Sequence, residues 1–388
     1  MKSFTHLKRL CLLLITFALL SCKNTELNVA NSRPAHHTDT GFRNLYIEPI
    51  DKGPFTFMKM KYFGDEPFAD QEQQAHQVPI AKPDMATLAM PNKQPQITWL
   101  GHSTFLIQHQ GINILTDPIL SQRASLVDFA GPKRLVALPI RYQDLPPIDY
   151  VIISHNHYDH LDARSIELLG NAPIYLVPLR LKNWFIGEGI DPARILEFDW
   201  WDSMAMKGMT ATATPSQHWS ARGLFDRFET LWAAWHLQLD DFSLWFAGDT
   251  GYNATQFKEI GQRWQNIDIA LIPIGAYGPR WFMEAQHVDP EQAVRIHNDV
   301  GARLSIGMHW GTFQLTSEPI LEPVQRLDAA VNSGMLSSGN FITLAIGETL
   351  HYQRQRDQNP ITTRIAQKET NTLSGGNAEA SAFGTFGE

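Results

Sequence analysis

The sequence has 388 residues, of which 43% are hydrophobic and 19% are charged. This balance is typical of a globular protein and excludes disordered, collagenous and polytopic membrane chains. The formal net charge of -8, without a basic stripe, argues against a protein that binds DNA or RNA. Two cysteines are too few for a disulfide framework.

The first residues are typical of a bacterial signal peptide. Three basic residues precede the apolar run 10–20, which is too short for a permanent membrane span. Ser21 and Cys22 then complete an ending that resembles a lipobox. We expect a lipoprotein signal peptide at 1–21, a lipidated Cys22 and, because Lys23 follows, a place in the bacterial cell envelope on the periplasmic side of the outer membrane. An uncleaved anchor is the alternative.

The remaining chain divides into a folded domain between two polar ends. Residues 22–40 predict a flexible tether, and residues 353–388, rich in Gln, Thr, Ser and Gly, predict a disordered tail. In residues 41–352 apolar runs alternate with helical patterns, which indicates an α/β fold. Strands are predicted at 96–100, 104–108, 112–116, 150–153, 174–177, 231–237, 243–247, 269–272 and 304–307, and helices at 163–169 and 289–298.

Four side chains of metal-ligand type follow the predicted strand at 150–153: His155, His157, Asp159 and His160. Neutral imidazoles and carboxylates are natural ligands of Zn²⁺. Four of them within six residues can surround a metal without long-range folding, so the segment predicts a metal site rather than a polar loop that happens to be rich in histidine. One hexapeptide cannot complete two sites, and further ligands are expected at later strand ends.

Three later residues are candidate ligands, namely His218, Asp249 and His309. Asp249 and His309 come directly after predicted strands, and Gly248 lets the backbone turn so that the next side chain projects into a site. Each residue alone would more often be structural. Together with the hexapeptide they supply the missing ligands.

This set resembles the metallo-β-lactamase superfamily: a His-x-His-x-Asp-His segment, a later His, an Asp in a Gly-Asp-Thr turn and a final His. Longer segments resemble one family within it, the N-acylphosphatidylethanolamine-hydrolysing phospholipases D. They are 131–134, 145–149, 153–162, 214–219, 246–252, 272–277, 279–283, 286–296 and 309–313, which cover most of residues 95–325. The resemblance implies a metallo-β-lactamase fold, a four-layered αβ/βα sandwich.

The resemblance also implies how the ligands divide between two Zn²⁺ ions. One ion would be held by His155, His157 and His218, and the other by Asp159, His160 and His309, with Asp249 as the bridge. Asp117 ends an earlier predicted strand. We expect it to orient a ligand histidine, with an ordinary turn aspartate as the alternative.

The implied reaction is phospholipase D-type hydrolysis of N-acylphosphatidylethanolamine to N-acylethanolamine and phosphatidic acid. Two closely spaced metal ions lower the pKa of a shared water and supply hydroxide for attack on phosphorus. Asp159 and Asp249 would position the hydroxide, and His287 would donate to a phosphoryl oxygen. Tyr158 and Gln286 are further implied substrate contacts. A backbone contact for His287 and simple packing for Tyr158 are the alternatives.

Three interpretations remain open. The first is a lipid-anchored zinc phosphodiesterase whose partners are a phospholipid substrate and the membrane, with a homodimer left open. The second keeps both metals but hydrolyses a lactone or a cyclic phosphate. The third is a surface lipoprotein that binds zinc without turnover, against which the intact Asp159 counts. The apolar segments 184–186 and 281–283 are either core or the rim of a lipid groove.

Overall fold

A computed structural model describes residues 33–48, 54–64, 66–91, 93–354 and 363–364. The expected signal peptide, Cys22 and most of the expected tail lie outside the described residues. Within those residues, no helix has both the length and the apolar character needed to cross a bilayer.

Two β-sheets dominate the described chain. The strands are, in chain order, β1 (Gln96–Gly101), β2 (Thr104–His109), β3 (Ile112–Thr116), β4 (Tyr150–Ile152), β5 (Ile174–Pro178), β6 (Ile195–Phe198), β7 (Ser203–Met206), β8 (Met209–Thr214), β9 (Ala234–Leu239), β10 (Phe242–Phe246), β11 (Ile269–Pro273), β12 (Leu304–Met308), β13 (Asn340–Thr343), β14 (Thr349–His351) and β15 (Thr363–Arg364). The nine strands predicted from the sequence are confirmed, each with its ends shifted by three residues or fewer.

The helices of the described residues are mostly short. They are α1 (Pro54–Phe63), α2 (Gln71–Gln74), α3 (Met85–Ala89), α4 (Ala163–Leu169), α5 (Lys182–Gly187), α6 (Gln256–Arg263), α7 (Arg280–Met283), α8 (Pro290–Val300) and α9 (Glu322–Asn332). The predicted helices correspond to α4 and α8. Asp289 caps α8 by accepting from the Gln292 N–H, and Pro290 occupies its first turn, as the sequence predicts.

Both sheets combine a set of parallel strands with a set of antiparallel strands. The first has the strand order β15-β14-β1-β2-β3-β4-β5-β6, and the second has the order β13-β12-β11-β10-β9-β8-β7. Strands β3 to β6 are parallel, as are β10 to β13, whereas the other pairs are antiparallel. Each sheet therefore has a parallel half whose loops leave from one edge.

The side chains of the strands alternate between two hydrophobic clusters. Leu106 of β2 packs in an outer cluster with Ile166 of α4 and Phe185 of α5. Its neighbour Phe105 belongs to the large cluster that joins the sheets and includes Trp235 of β9. Helix α8 packs on β11 and is covered by α6 and α9. The predicted four-layered sandwich is confirmed.

The segment before α1 packs on the domain, which corrects the predicted boundary of the tether at residue 40. His36 and His37 place their Nε2 atoms 2.6 and 2.7 Å from the two carboxylate oxygens of Asp199. The His36 ring stacks on Trp200, and Phe42 is buried in the large cluster. At the other end, β15 lies within the predicted tail and pairs with β14. Both ends of the folded region thus extend beyond 41–352.

Candidate metal centre

The candidate ligands come from both sheets and follow the ends of strands. The segment His155–His160 follows β4 of the first sheet. His218, Asp249 and His309 follow β8, β10 and β12 of the second sheet. Loops from the two sheets therefore meet at one edge of the sandwich, which is why residues far apart in sequence share a site.

The first cluster consists of His155, His157 and His218. The distance from His155 Nε2 to His157 Nδ1 is 2.8 Å, and that from His218 Nε2 to the same Nδ1 is 3.3 Å. The three rings are buried or half-buried and offer one nitrogen each within 4.8 Å of the others. These are the three residues that the resemblance assigns to one ion.

The second cluster consists of Asp159, His160 and His309. Asp159 Oδ2 lies 3.4 Å from His160 Nε2 and 3.5 Å from His309 Nε2. Sequence reasoning missed a neighbour of this cluster, His102, whose Nε2 lies 3.0 Å from the same Asp159 oxygen. His102 is buried in the turn between β1 and β2. The one sequence signal for it was a histidine in a short turn between two apolar runs.

Asp249 lies between the two clusters. Its Oδ2 is 3.2 Å from His160 Nε2, 3.1 Å from His309 Nε2 and 3.8 Å from His218 Nε2. One carboxylate oxygen thus faces both sets of ligands. This is the position that a bridging ligand requires.

Several buried atoms of the centre make no hydrogen bond among the described residues. They are His157 Nε2, His160 Nε2, His309 Nε2 and Asp249 Oδ1. Burying polar atoms without a partner is unfavourable in free energy. A bound cation would supply that partner for the nitrogen and oxygen atoms of imidazole and carboxylate groups. The residues present therefore fit a pair of divalent metal ions.

Burial keeps the first cluster in the form that binds metal. Because desolvation penalises the imidazolium, the pKa of His155 is held well below its ordinary value, and the pKa values of His157 and His218 are lowered to about 3. All three imidazoles are neutral at pH 7. Each can offer a nitrogen lone pair without first losing a proton.

In the second cluster, the attraction between carboxylates and imidazoles determines the direction of the pKa shifts. Burial opposes protonation of His160 and His309, but Asp249 and Asp159 outweigh it, so the pKa of His160 is raised well above normal and that of His309 to about 9. Burial also opposes ionisation of Asp159 and Asp249, yet His160 is the leading cause that brings both pKa values well below their usual range. The carboxylates attract positive charge, which bound cations would supply in place of protons.

A second set of contacts orients the ligand rings. Asp117 Oδ2 lies 2.7 Å from His160 Nδ1, so it contacts a candidate ligand histidine, as we expected. His218 Nδ1 lies 2.9 Å from the backbone oxygen of Gln286, and His155 Nδ1 lies 2.9 Å from Ser154 Oγ. When each Nδ1 is engaged in this way, Nε2 is left to face the centre.

The turn before Asp249 depends on a glycine. Gly248 has φ +57°, and a Cβ at this position would lie 2.5 Å from Ser154 Cβ. The backbone therefore reverses there, close against the strand end that precedes the hexapeptide. His309 also has positive φ, at +63°, an uncommon conformation for a residue other than glycine.

The residues predicted to contact substrate take different places. His287 Nδ1 lies 3.9 Å from Asp249 Oδ2, and its ring centroid is 5.1 Å from that of His218, so it borders the centre. Burial lowers the pKa of His287 to about 3. Gln286 is buried and reaches the centre through its backbone oxygen. The Tyr158 hydroxyl donates to the backbone oxygen of Arg222 at 2.7 Å, with its ring under that guanidinium.

Arg222 is a second residue that sequence reasoning missed. Its Nη1 donates to the backbone oxygens of Asn156 and Leu161 at 2.9 and 2.6 Å. The guanidinium therefore links a residue within the hexapeptide to the residue that directly follows it. A lone arginine in a polar loop carries no local signal for this role.

The candidate groove segments are divided between core and surface. Phe185 and Phe282 are buried, whereas Ile186 and Trp281 are exposed. Each segment thus contributes one anchor to the core and one side chain to the surface.

Comparisons with known proteins agree with this geometry. Residues 112–310 match the family model of the β-lactamase superfamily domain. The chain is 40% identical over 263 residues to N-acyl-phosphatidylethanolamine-hydrolyzing phospholipase D 1 of Caenorhabditis elegans, covering 65% of this chain and 74% of that protein. It is 36% identical over 245 residues to the mitochondrial N-acyl-phosphatidylethanolamine-hydrolyzing phospholipase D of Saccharomyces cerevisiae, covering 61% and 52%.

A solved structure shares the fold. The isothiocyanate hydrolase from Delia radicum gut bacteria aligns with a TM-score of 0.53 and 20% identity, covering 67% of this chain and all of that one, 100%. At this identity the likeness concerns the fold alone.

Proposed function

Since the chain belongs to the metallo-β-lactamase superfamily, in the family of its phospholipase D relatives, we propose that it hydrolyses N-acylphosphatidylethanolamine as a zinc-dependent phosphodiesterase. Membership makes the protein a metal-dependent hydrolase. The finer proposal is that water cleaves the phosphodiester on the amide side, which gives N-acylethanolamine and phosphatidic acid.

The position of Asp249 between two ligand clusters carries this proposal. Five histidines and two aspartates in two sets suit Zn²⁺, which prefers imidazole and carboxylate ligands at low coordination number. A pair of closely spaced metal ions suits phosphodiester hydrolysis, and the two clusters together with Asp249 would hold such a pair. The 40% identity to a phospholipase D supports the same substrate class.

The chemistry divides between the bound ions and the protein. Two zinc ions would lower the pKa of a water molecule and stabilise the charge that develops on the phosphoryl group. Asp159 is oriented from outside the centre by His102, which lies within hydrogen-bonding distance of its Oδ2. His287 is neutral at pH 7, and its one N–H can donate to a phosphoryl oxygen at the border of the centre.

The test is a substrate comparison with the purified, zinc-loaded protein. N-acylphosphatidylethanolamine, a cyclic phosphodiester and a lactone are incubated separately, before and after chelation, and products are identified by mass spectrometry. We expect N-acylethanolamine and phosphatidic acid, their loss on chelation and their return with zinc. Consumption of the lactone or the cyclic phosphate alone would favour the second interpretation, and zinc binding without any turnover would favour the third.

We also propose that the protein is anchored in the outer membrane through acyl chains on Cys22, which lies outside the described residues. Acylation would hold an acidic protein, which charge alone does not attract to anionic lipid, beside its substrate. Mass spectrometry of the N-terminal peptide from membrane fractions should find acylated Cys22. An unmodified cysteine there would contradict the anchor.

A further inference from the structure

A third cluster of metal-ligand side chains shares no residue with the metal centre. It consists of His36, His37 and Asp199, which offer two imidazole nitrogens and a carboxylate oxygen within 4.8 Å of one another. All three side chains are buried or half-buried. Two imidazoles and one carboxylate are a suitable donor set for Zn²⁺ and similar transition-metal ions.

The two histidines belong to a short hairpin, residues 34–43. The His37 N–H donates to the Pro34 oxygen at 2.9 Å, and the Arg43 N–H donates to the His36 oxygen at 2.8 Å. Neighbouring side chains on a regular strand would point to opposite faces. The turn that these hydrogen bonds close instead lets both imidazoles face one carboxylate.

Asp199 is held in place by its own turn. It lies between β6, at the edge of the first sheet, and β7, at the edge of the second. The Asp199 N–H donates to Asp202 Oδ2 at 2.8 Å, and Asp199 Oδ1 accepts from the Trp200 N–H at 2.8 Å. The Trp200 indole in turn donates to the Trp232 backbone oxygen at 2.6 Å. The carboxylate therefore has a fixed position at the junction of the sheets.

The two imidazole rings are arranged as two rings of the metal centre are. The ring centroids of His36 and His37 are 4.6 Å apart with an interplanar angle of 85°, and those of His155 and His157 are 4.5 Å apart with an angle of 82°. His36 Nε2 lies 2.6 Å from Asp199 Oδ1, and His37 Nε2 lies 2.7 Å from Oδ2. A neutral imidazole that binds a cation through Nε2 carries its proton on Nδ1. One divalent ion can therefore replace both N–H contacts with the carboxylate.

We propose that His36, His37 and Asp199 bind a divalent transition-metal ion such as Zn²⁺, and that this ion clamps the hairpin to the turn between the sheets. Three protein ligands leave the remaining coordination position to water. With one carboxylate instead of two, the third cluster binds its ion more weakly than the metal centre does. The inference does not depend on the proposed function, because no substrate takes part in it.

The hairpin continues directly into a contact with the metal centre. The Phe42 N–H donates to the Phe228 oxygen at 2.9 Å, and Asn44 Nδ2 donates to the backbone oxygen of His218 at 2.8 Å. A clamp on the hairpin therefore also fixes the segment that contacts a candidate ligand of the first cluster.

The binding test counts zinc in the full chain with Cys22→Ser as the common background. This protein and its His37→Gln and Asp199→Asn variants are dialysed against buffers of fixed free zinc that saturate the metal centre, and bound zinc is measured by elemental mass spectrometry. We expect the parent to hold one zinc ion more per chain than either variant. Equal zinc in all three would overturn the proposal, because the cluster would then be a set of hydrogen bonds only. Loss in one variant but not in the other would also overturn it, because each residue is a required ligand.

Asp39→Asn is the matched control. Asp39 lies in the same hairpin, but its Oδ1 pairs with Arg33 Nη1 at 2.6 Å, and it is not a member of the third cluster. This variant should bind as much zinc as the parent. If it loses the same ion, zinc is held elsewhere on the hairpin and the proposal is wrong.

Trypsin cleavage after Arg43 reports whether the ion clamps the hairpin. Arg43 is exposed, and its backbone N–H is bonded within the hairpin. Cleavage of a segment that opens locally follows the population of the open form when closing is fast. Raising free zinc to about ten times the dissociation constant of the third cluster should therefore slow cleavage about tenfold in the parent. The rate in His37→Gln should not change, and a free peptide serves as the reference for trypsin activity.

A parental cleavage rate that does not respond to zinc would overturn the clamp. This parental response also decides the matter if circular dichroism shows that a variant fails to fold. Neither measurement uses hydrolysis of a lipid, so failure of the proposed function would leave both results unchanged.

Discussion

Replacing Asp117 with asparagine tests how the second cluster is kept in its binding form. The Asp117 carboxylate accepts from the Ser154 N–H through Oδ1 at 2.7 Å. Its Oδ2 accepts from Ser154 Oγ at 2.5 Å and lies 2.7 Å from His160 Nδ1. Burial raises the pKa of Asp117, although these contacts favour its ionised form. All three contacts are buried.

Asparagine keeps the shape but exchanges one acceptor for a donor. If its oxygen retains the Ser154 N–H, its NH₂ group replaces Oδ2 and faces His160 Nδ1. That nitrogen must then give up its proton, which moves to Nε2 and blocks the atom that faces the centre. Loss of such an orienting contact costs about 10- to 100-fold in metal affinity, or about 1.4–2.7 kcal/mol.

Zinc competition with a chromophoric chelator measures this effect, together with the metal content of the purified protein. We expect Asp117→Asn to bind the zinc ion of the second cluster about 10- to 100-fold more weakly than the parent does. The ion of the first cluster should then be the more tightly bound of the two. Asp162→Asn is the control, because Asp162 is also buried and accepts from the Ser165 N–H at the start of α4, and no contact of it with a candidate ligand atom is seen among the described residues. It should lower stability and leave zinc affinity unchanged. Two tightly bound ions in Asp117→Asn would refute the reasoning.

Three further predictions follow from the geometry. Asp249→Asn should lower phosphodiester hydrolysis at least about 100-fold and reduce bound zinc, since one oxygen faces both clusters; full activity would contradict the bridging position. His102→Phe should lower kcat about tenfold at saturating zinc while zinc content stays unchanged, because His102 contacts only Asp159 among the acidic ligands; an unchanged kcat would remove its positioning role. The metal-free protein should lose unfolding free energy as pH rises from about 6.5 to about 9, since the His309 pKa is raised and its proton stabilises the folded state below that range; urea titrations with and without zinc should show this loss only without zinc.

Local patterns were sufficient for much of the fold. Strands such as β3 and β11 are short, mostly apolar runs, and their predicted ends lie within one residue of those observed. Strand β8 was not predicted, because its sequence of Thr and Ala has little hydrophobic contrast and is buried only through its neighbours. Helix α9 was also missed, although Pro323 lies at its start.

The site was predictable to the extent that its ligands are close together in sequence. The hexapeptide alone predicts a metal site. His218 and His309 are candidates from their places in the sequence, and only the resemblance assigns each of them to one of two ions. His102 and Arg222 were missed because their roles depend on contacts between loops that are distant in sequence. His102 joins the β1–β2 turn to the segment after β4, and Arg222 joins a loop of the second sheet to the same segment. Such contacts arise from the packing of the sandwich, which no short pattern encodes.

The division of ligands between two sheets has a consequence for assembly. One part of the centre is encoded before residue 161 and the rest after residue 217, and these parts belong to different layers. Neither layer alone can surround an ion with the full set. Metal capture is therefore a late event in folding, and the bound ions would act as a check that both halves of the chain have come together correctly. A protein that loses its metal should accordingly open first between the sheets, at the edge where the loops meet.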